Sequence, residues 1–128
     1  MKLKASLVFL SLAIIIFSGC GFLGKKKADF RGTWESSYGD LTMSQKNGKI
    51  IGFYTSNSGQ LEGTVNADTL EFRWWEGIEK GKPYQEASSR GEGYFVMSPD
   101  GKTFSGYWGY GENLDLQSLS GNWTGTRK

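Results

Sequence analysis

From residue 30 to the C-terminus, apolar and polar positions alternate with a period of two, in short runs separated by turn residues. Such alternation is the mark of half-buried strands, and no helical period competes with it. Eight strands are predicted: Phe30–Ser37, Leu41–Lys46, Lys49–Thr55, Gln60–Asn66, Thr69–Trp75, Gly91–Ser98, Thr103–Gly109 and Leu119–Arg127. Asn47-Gly48 is a strong hairpin signal because both residues tolerate positive φ. Ser58-Gly59, Asn66-Ala67-Asp68 and Pro99-Asp100-Gly101 separate other strands.

Within the strands a unit Gly-x-large recurs, at Gly32-Thr33-Trp34, Gly52-Phe53-Tyr54, Gly63-Thr64-Val65, Gly93-Tyr94-Phe95, Gly106-Tyr107-Trp108 and Gly121-Asn122-Trp123. Glycine weakens a strand, so its repetition needs a reason. Residues two apart share a face, so each glycine lies beside a large residue pointing the same way. Closing a sheet on itself needs glycine kinks, and large interior side chains need small neighbours. The fold expected is all-β, an eight-stranded antiparallel up-and-down β-barrel. An open meander or sandwich would leave two edges exposed.

In such a barrel alternate connections lie at opposite ends. The end that receives the N-terminus collects the tight links at Asn47-Gly48, Asn66–Asp68 and Pro99–Gly101. The other end collects Tyr38–Asp40, Ser56–Gly59, the long Glu76–Arg90 segment and Tyr110–Ser118. Loops well above about 4–6 residues usually carry function or disorder. Strand parity brings Tyr38, Trp74 and Trp108 to the inward face of that mouth, with Tyr54 lower down. Tyr84 and Arg90 lie on the long loop, and Tyr110 opens the last one. These seven residues are the candidate ligand site, apolar walls with a few polar groups. Two interiors fit the sequence, a hollow mouth or a barrel packed solid by its own aromatics, of which the chain has 5 Trp, 6 Tyr and 8 Phe. Phe53, Trp75, Tyr94 and Tyr107 take the opposite parity, and together they would form an outer aromatic patch.

The N-terminal segment reads differently. Met1-Lys2-Leu3-Lys4 is basic, and Leu7 to Phe17 is apolar except for Ser11. Small residues then precede the single cysteine, Cys20. A basic start, a short apolar stretch and small residues at the cut describe a secretory signal, and the stretch is too short to span a bilayer. Phe17-Ser18-Gly19-Cys20 resembles the bacterial lipobox, with Phe17 in place of the usual aliphatic residue. The resemblance implies a lipoprotein: residues 1–19 a signal peptide, residues 20–29 a lipidated Cys20 and basic tether, residues 30–128 the barrel. Gly21 resembles the pattern of lipoproteins sent to the outer membrane, which implies a lipid-anchored place in the bacterial cell envelope. Several acyl chains hold a protein on a membrane far better than one.

A second resemblance covers residue 30 to the C-terminus. Gly32-Thr33-Trp34 on the first strand, with Arg127 on the last, is similar to the calycin arrangement of lipocalins and avidins. It implies that Arg127 packs across Trp34 and closes one end of the barrel. Avidin's polar biotin-binding set has no counterpart here, and a lipocalin's long first loop is missing.

Charge changes little. The formal +2 includes Lys2 and Lys4 of the signal and Lys25-Lys26-Lys27 of the tether, so the domain is near neutral or slightly acidic. Nothing points to nucleic acid, and a monomer is expected. With no histidine and Cys20 lipidated, His–Cys zinc sites and Ser–His or Cys–His nucleophiles are excluded; no cofactor is expected. Glu71, Glu76, Glu79 and Glu92 are the carboxylates left for acid–base work, but Glu71 and Glu92 face outward and the others fall in a loop. The expected function is therefore a non-catalytic binding module for a small apolar or sugar-like ligand at the open end. The alternative is a surface interaction protein, an inhibitor or adhesin, working through its long loops and outer aromatics.

Overall fold

The computed structural model describes residues 26–112 and 119–128. Its strands are β1 (Gly32–Ser36), β2 (Gly39–Lys46), β3 (Lys49–Tyr54), β4 (Gly59–Asn66), β5 (Thr69–Glu76), β6 (Ser89–Met97), β7 (Thr103–Tyr110) and β8 (Leu119–Arg127). Each pairs antiparallel with the next, and β8 returns to β1 through Trp34↔Arg127, Glu35↔Thr126 and Ser36↔Gly125. The sheet is thus a closed up-and-down barrel with no free edge. The signal-peptide segment and Cys20 lie outside the described residues, as does most of the Tyr110–Ser118 loop.

Register explains the glycine repeat. Inward glycines stand directly opposite large inward residues on the neighbouring strand: Tyr54↔Gly59, Gly52↔Leu61, Phe72↔Gly93, Trp108↔Gly121 and Phe104↔Gly125. The large side chain lies across the space where a Cβ would sit; at Gly121 that atom would be 2.9 Å from Trp108 Nε1. Rings and glycines therefore interlock around the wall, which lets a barrel of this size hold Trp34, Phe72, Trp74, Phe95, Phe104 and Trp123 in one core.

The N-terminal end is sealed. Phe30, expected as the first strand residue, instead plugs the barrel below β1, fully buried, and its carbonyl accepts a 3.0 Å hydrogen bond from Trp34 Nε1. The Arg127 guanidinium stacks on the Trp34 ring at 4.1 Å. Its nitrogens donate to the carbonyls of Gly101 at 3.1 Å, Arg31 at 2.7 Å and Asp29 at 2.7 Å. The entering chain is held here too, by Ala28 N–H donating to Ala67 O at 2.7 Å. At Asn47-Gly48 both φ angles are positive, 53° and 78°, as the hairpin requires.

Several boundaries differ from expectation. β2 begins at Gly39, two residues early, so Ser37-Tyr38 is a tight turn and not part of a loop through Asp40. β5 runs on to Glu76 and β6 starts at Ser89, where Glu76↔Ser89 and Trp75↔Arg90 pair. Polar ladder positions carry no apolar signal, so alternation alone ends the strands too soon.

Candidate functional site

At the end opposite Arg127 the barrel holds a cavity of about 160 Å³. Tyr38, Tyr54, Trp74, Trp108, Tyr110 and Trp123 line it, with Ser56, Asn57 and Glu76 at its polar side. The interior is therefore neither hollow throughout nor filled to the rim. Trp123 forms the floor, with Tyr54 and Tyr38 set edge-to-face on it at 4.8 and 5.0 Å. Above it Trp74, Trp108 and Tyr110 stand at steep angles to one another, 85° for the tryptophan pair, 67° and 84° for each against Tyr110, with centroids 5.2–5.5 Å apart. Tyr110 is the rim residue, 61% exposed.

Hydrogen bonding decides what these walls offer. Trp74 Nε1 donates to Gly109 O at 3.2 Å, Trp108 Nε1 to Tyr38 Oη at 2.9 Å, and Trp123 Nε1 to Ser36 Oγ at 3.1 Å. Indole N–H is a donor only, so all three tryptophans have their polar groups occupied. Tyr54 Oη donates to Glu76 Oε2 at 2.7 Å, and Asn57 Nδ2 to Glu76 Oε1 at 3.2 Å. Burial, then the Glu76 hydrogen bond and charge, push the Tyr54 phenol far above its ordinary value, so it stays a neutral donor.

Glu76 is the residue that strand parity could have found. It lies two positions beyond inward Trp74, one pleat nearer the rim, but a strand ended at Trp75 drops it into the loop. No second carboxylate lines the cavity among the described residues, so paired acid–base chemistry lacks a partner there. Among the described residues no group of three metal-ligating side chains is present, and no helix is long and apolar enough to cross a membrane.

Two expected site residues are elsewhere. Tyr84 and Arg90 are not at the mouth, because the segment between β5 and β6 folds down over the outside of the wall. Gly81 N–H donates to Gln60 Oε1 at 2.8 Å and Trp75 Nε1 to Lys82 O at 2.8 Å. Gln60, of outward parity, is consequently only 3% exposed. Trp75, Tyr84 and Ala87 form a small second core against Ile78. Arg73 and Arg90 approach the Tyr84 ring at 4.8 and 5.1 Å. The outer aromatic patch is broken in the same way. Trp75 is covered, Lys80 caps Phe53 at 4.2 Å, and only Tyr94 and Tyr107 remain as an adjacent outer pair, 6.1 Å apart.

Tyr84 Oη is buried with no hydrogen-bond partner among the described residues. An unsatisfied buried hydroxyl costs about 1–3 kcal/mol. Tyr84→Phe should therefore leave stability unchanged or raise it by about 1 kcal/mol, whereas Tyr84→Ala should lose about 2 kcal/mol as the second core empties. Urea unfolding of both variants checks this, and a Phe variant as damaged as the Ala variant would contradict it.

Two larger depressions lie on outer surfaces. One, of about 870 Å³, follows the faces of β3 to β6 and includes Lys49, Glu62, Arg73 and Glu92. Those charges already answer one another, with Lys49–Glu62 at 3.7 Å and Arg73–Glu62 at 3.0 Å. The other, of about 430 Å³, lies beneath the entering chain at the sealed end. The mouth is smaller, but it is where Trp74, Trp108 and Trp123 of the interior line a cavity. Comparison with known protein families, with curated proteins and with solved structures gives no match for this chain.

Proposed function

We propose that this chain is a lipid-anchored protein of the bacterial cell envelope whose barrel is a non-catalytic binding module for a small ligand. The supporting observation is the opposition of the two ends. The chain enters beside Ala67 and the Arg127 seal, while the aromatic cavity opens at the other rim. A lipid on Cys20, at the outer membrane, would then turn the mouth away from the bilayer, where a ligand can reach it. A cavity of about 160 Å³ lies below the roughly 300–1,000 Å³ of sites that enclose drug-sized molecules. It is close to the void of about 150 Å³ that admits benzene. The module therefore grips one ring-sized group of its ligand and leaves the remainder outside. Loops and rims carry recognition more often than the scaffold beneath.

Two measurements test this reading. Radiolabelled palmitate should enter the protein and Cys20→Ser should abolish the label; a mutant that still labels removes the anchor. For the mouth, single-ring and small polar compounds are screened by tryptophan fluorescence. At least one should shift the emission, and Trp108→Leu should suppress the response. A flat response across the screen removes the binding module.

A further inference from the structure

We infer that the mouth is an aromatic cage for a small organic cation, a quaternary or otherwise methylated ammonium group, with Glu76 as its counter-charge. The inference rests on the binding-module reading and names the chemistry of its ligand.

The walls offer aromatic π systems, one anion and a few neutral polar groups, Ser56, Asn57 and the tyrosine hydroxyls. The electron-rich faces of Trp, Tyr and Phe attract a cation placed within about 6 Å, most strongly where water is excluded. Trp74, Trp108 and Tyr110 meet at 67–85°, so they wall a corner and do not stack on one another. Trp123 and Tyr54 close the bottom. A compact, roughly spherical group touches several such walls at once, whereas a flat ring lies against only one or two.

Polarity separates the ligand classes. Every indole N–H at the site is donated to a protein acceptor, and the Tyr54 hydroxyl is committed to Glu76. The donors left for a sugar's oxygens are the hydroxyls of Tyr38, Tyr110 and Ser56, and a sugar brings no positive charge to answer Glu76. A neutral apolar ligand fares worse, because it would strip water from the Glu76 carboxylate without replacing it. Glu76 makes no ion pair with any described residue and is met only by the neutral donors Tyr54 and Asn57. No basic side chain lines the cavity among the described residues. A tetraalkylammonium has no N–H of its own, so it needs no acceptors, takes the aromatic walls through its methyl groups, and answers the carboxylate across a short, water-poor gap.

The experiment is calorimetric titration of the full-length chain in a non-ionic detergent. Choline and tetramethylammonium are compared with the neutral carbon isostere of choline and with glucose. Choline and tetramethylammonium should bind, and the isostere, identical in shape, should bind about tenfold or more weakly. Added salt should weaken choline and leave the isostere unmoved. Glu76→Gln, which keeps an acceptor for Tyr54, should cost choline about tenfold and the isostere nothing. Equal or tighter binding of the isostere, or tighter binding of glucose, overturns the cation cage while leaving a binding module in place. Absence of binding by all four compounds also overturns the cation cage, and the binding module then stands or falls by the fluorescence screen.

Discussion

Trp34→Ala should lower the unfolding free energy by about 3–5 kcal/mol, the range for emptying an aromatic from a packed core. Trp34 has no exposed surface. Its ring is packed edge-on by Phe104 at 5.1 Å and covered by the Arg127 guanidinium at 4.1 Å. The loss is larger than the cavity alone because Trp34 and Arg127 organise one seal. Arg127 spreads three donors over the carbonyls of Asp29, Arg31 and Gly101, and so joins the entering chain, the β6–β7 turn and the last strand. Without the indole beneath it, that fork loses its platform. Arg127→Lys is the milder companion, expected to cost about 1–2 kcal/mol, since a single ammonium cannot reproduce the planar fork. A domain of this size holds roughly 5–15 kcal/mol in total, so the Trp34 variant should unfold at far lower urea with little change in slope. A loss under about 1 kcal/mol would show that closure does not depend on this stack.

How much of this was legible in the sequence depends on what each signal measures. Period-two alternation reports which face a residue takes, and the inward parity of Tyr54, Trp74 and Trp108 matches the structure. Parity does not report exposure. Trp75 faces outward as expected and is nevertheless buried, because another part of the chain comes to lie on it. The composition of that segment held a clue. Ile78, Tyr84 and Ala87 are apolar residues in a stretch otherwise polar, and an outward Trp75 beside Gln60 gives them something to cover. Loop length alone suggested a free arm reaching the mouth; the apolar residues inside it argue for a strap. Glu76, expected in the loop, ends β5 and lines the cavity instead, for a related reason. A charged residue at a strand end looks like the start of a loop, and only its two-residue spacing from Trp74 reveals that it faces the cavity. Parity places Tyr38 at the mouth although its connection is shorter than expected, since the hairpin turn carries it over Trp123 in either case.

The glycine repeat makes a sharper prediction, because its members are glycine for different reasons. At Gly106 an added Cβ would overlap the carbonyl oxygen of Tyr94 and come within 3.0 Å of Phe95 Cα. Both belong to the backbone of β6, which is locked into ladders with β5 and β7. Nothing there can swing aside, so Gly106→Ala must push two strands apart. It should cost about 3 kcal/mol, the upper end for overpacking. At Gly121 the obstacle is the Trp108 indole at 2.9 Å, a side chain at the half-open mouth that can tilt outward. Gly121→Ala should cost about 1 kcal/mol in stability while altering Trp108 fluorescence. At Gly101 no atom lies within 4 Å but φ is +74°. Gly101→Ala meets backbone strain alone, about 1–2 kcal/mol. Urea unfolding of the three variants should therefore rank Gly106 well above the other two. Equal losses at all three would mean that these glycines serve only as flexible points in the strands. The predicted ranking instead requires that the barrel be narrow because strand backbones approach over bare Cα atoms. That narrowness is also what leaves the rings of Trp74, Trp108 and Tyr110 crowded into a single cavity at the rim.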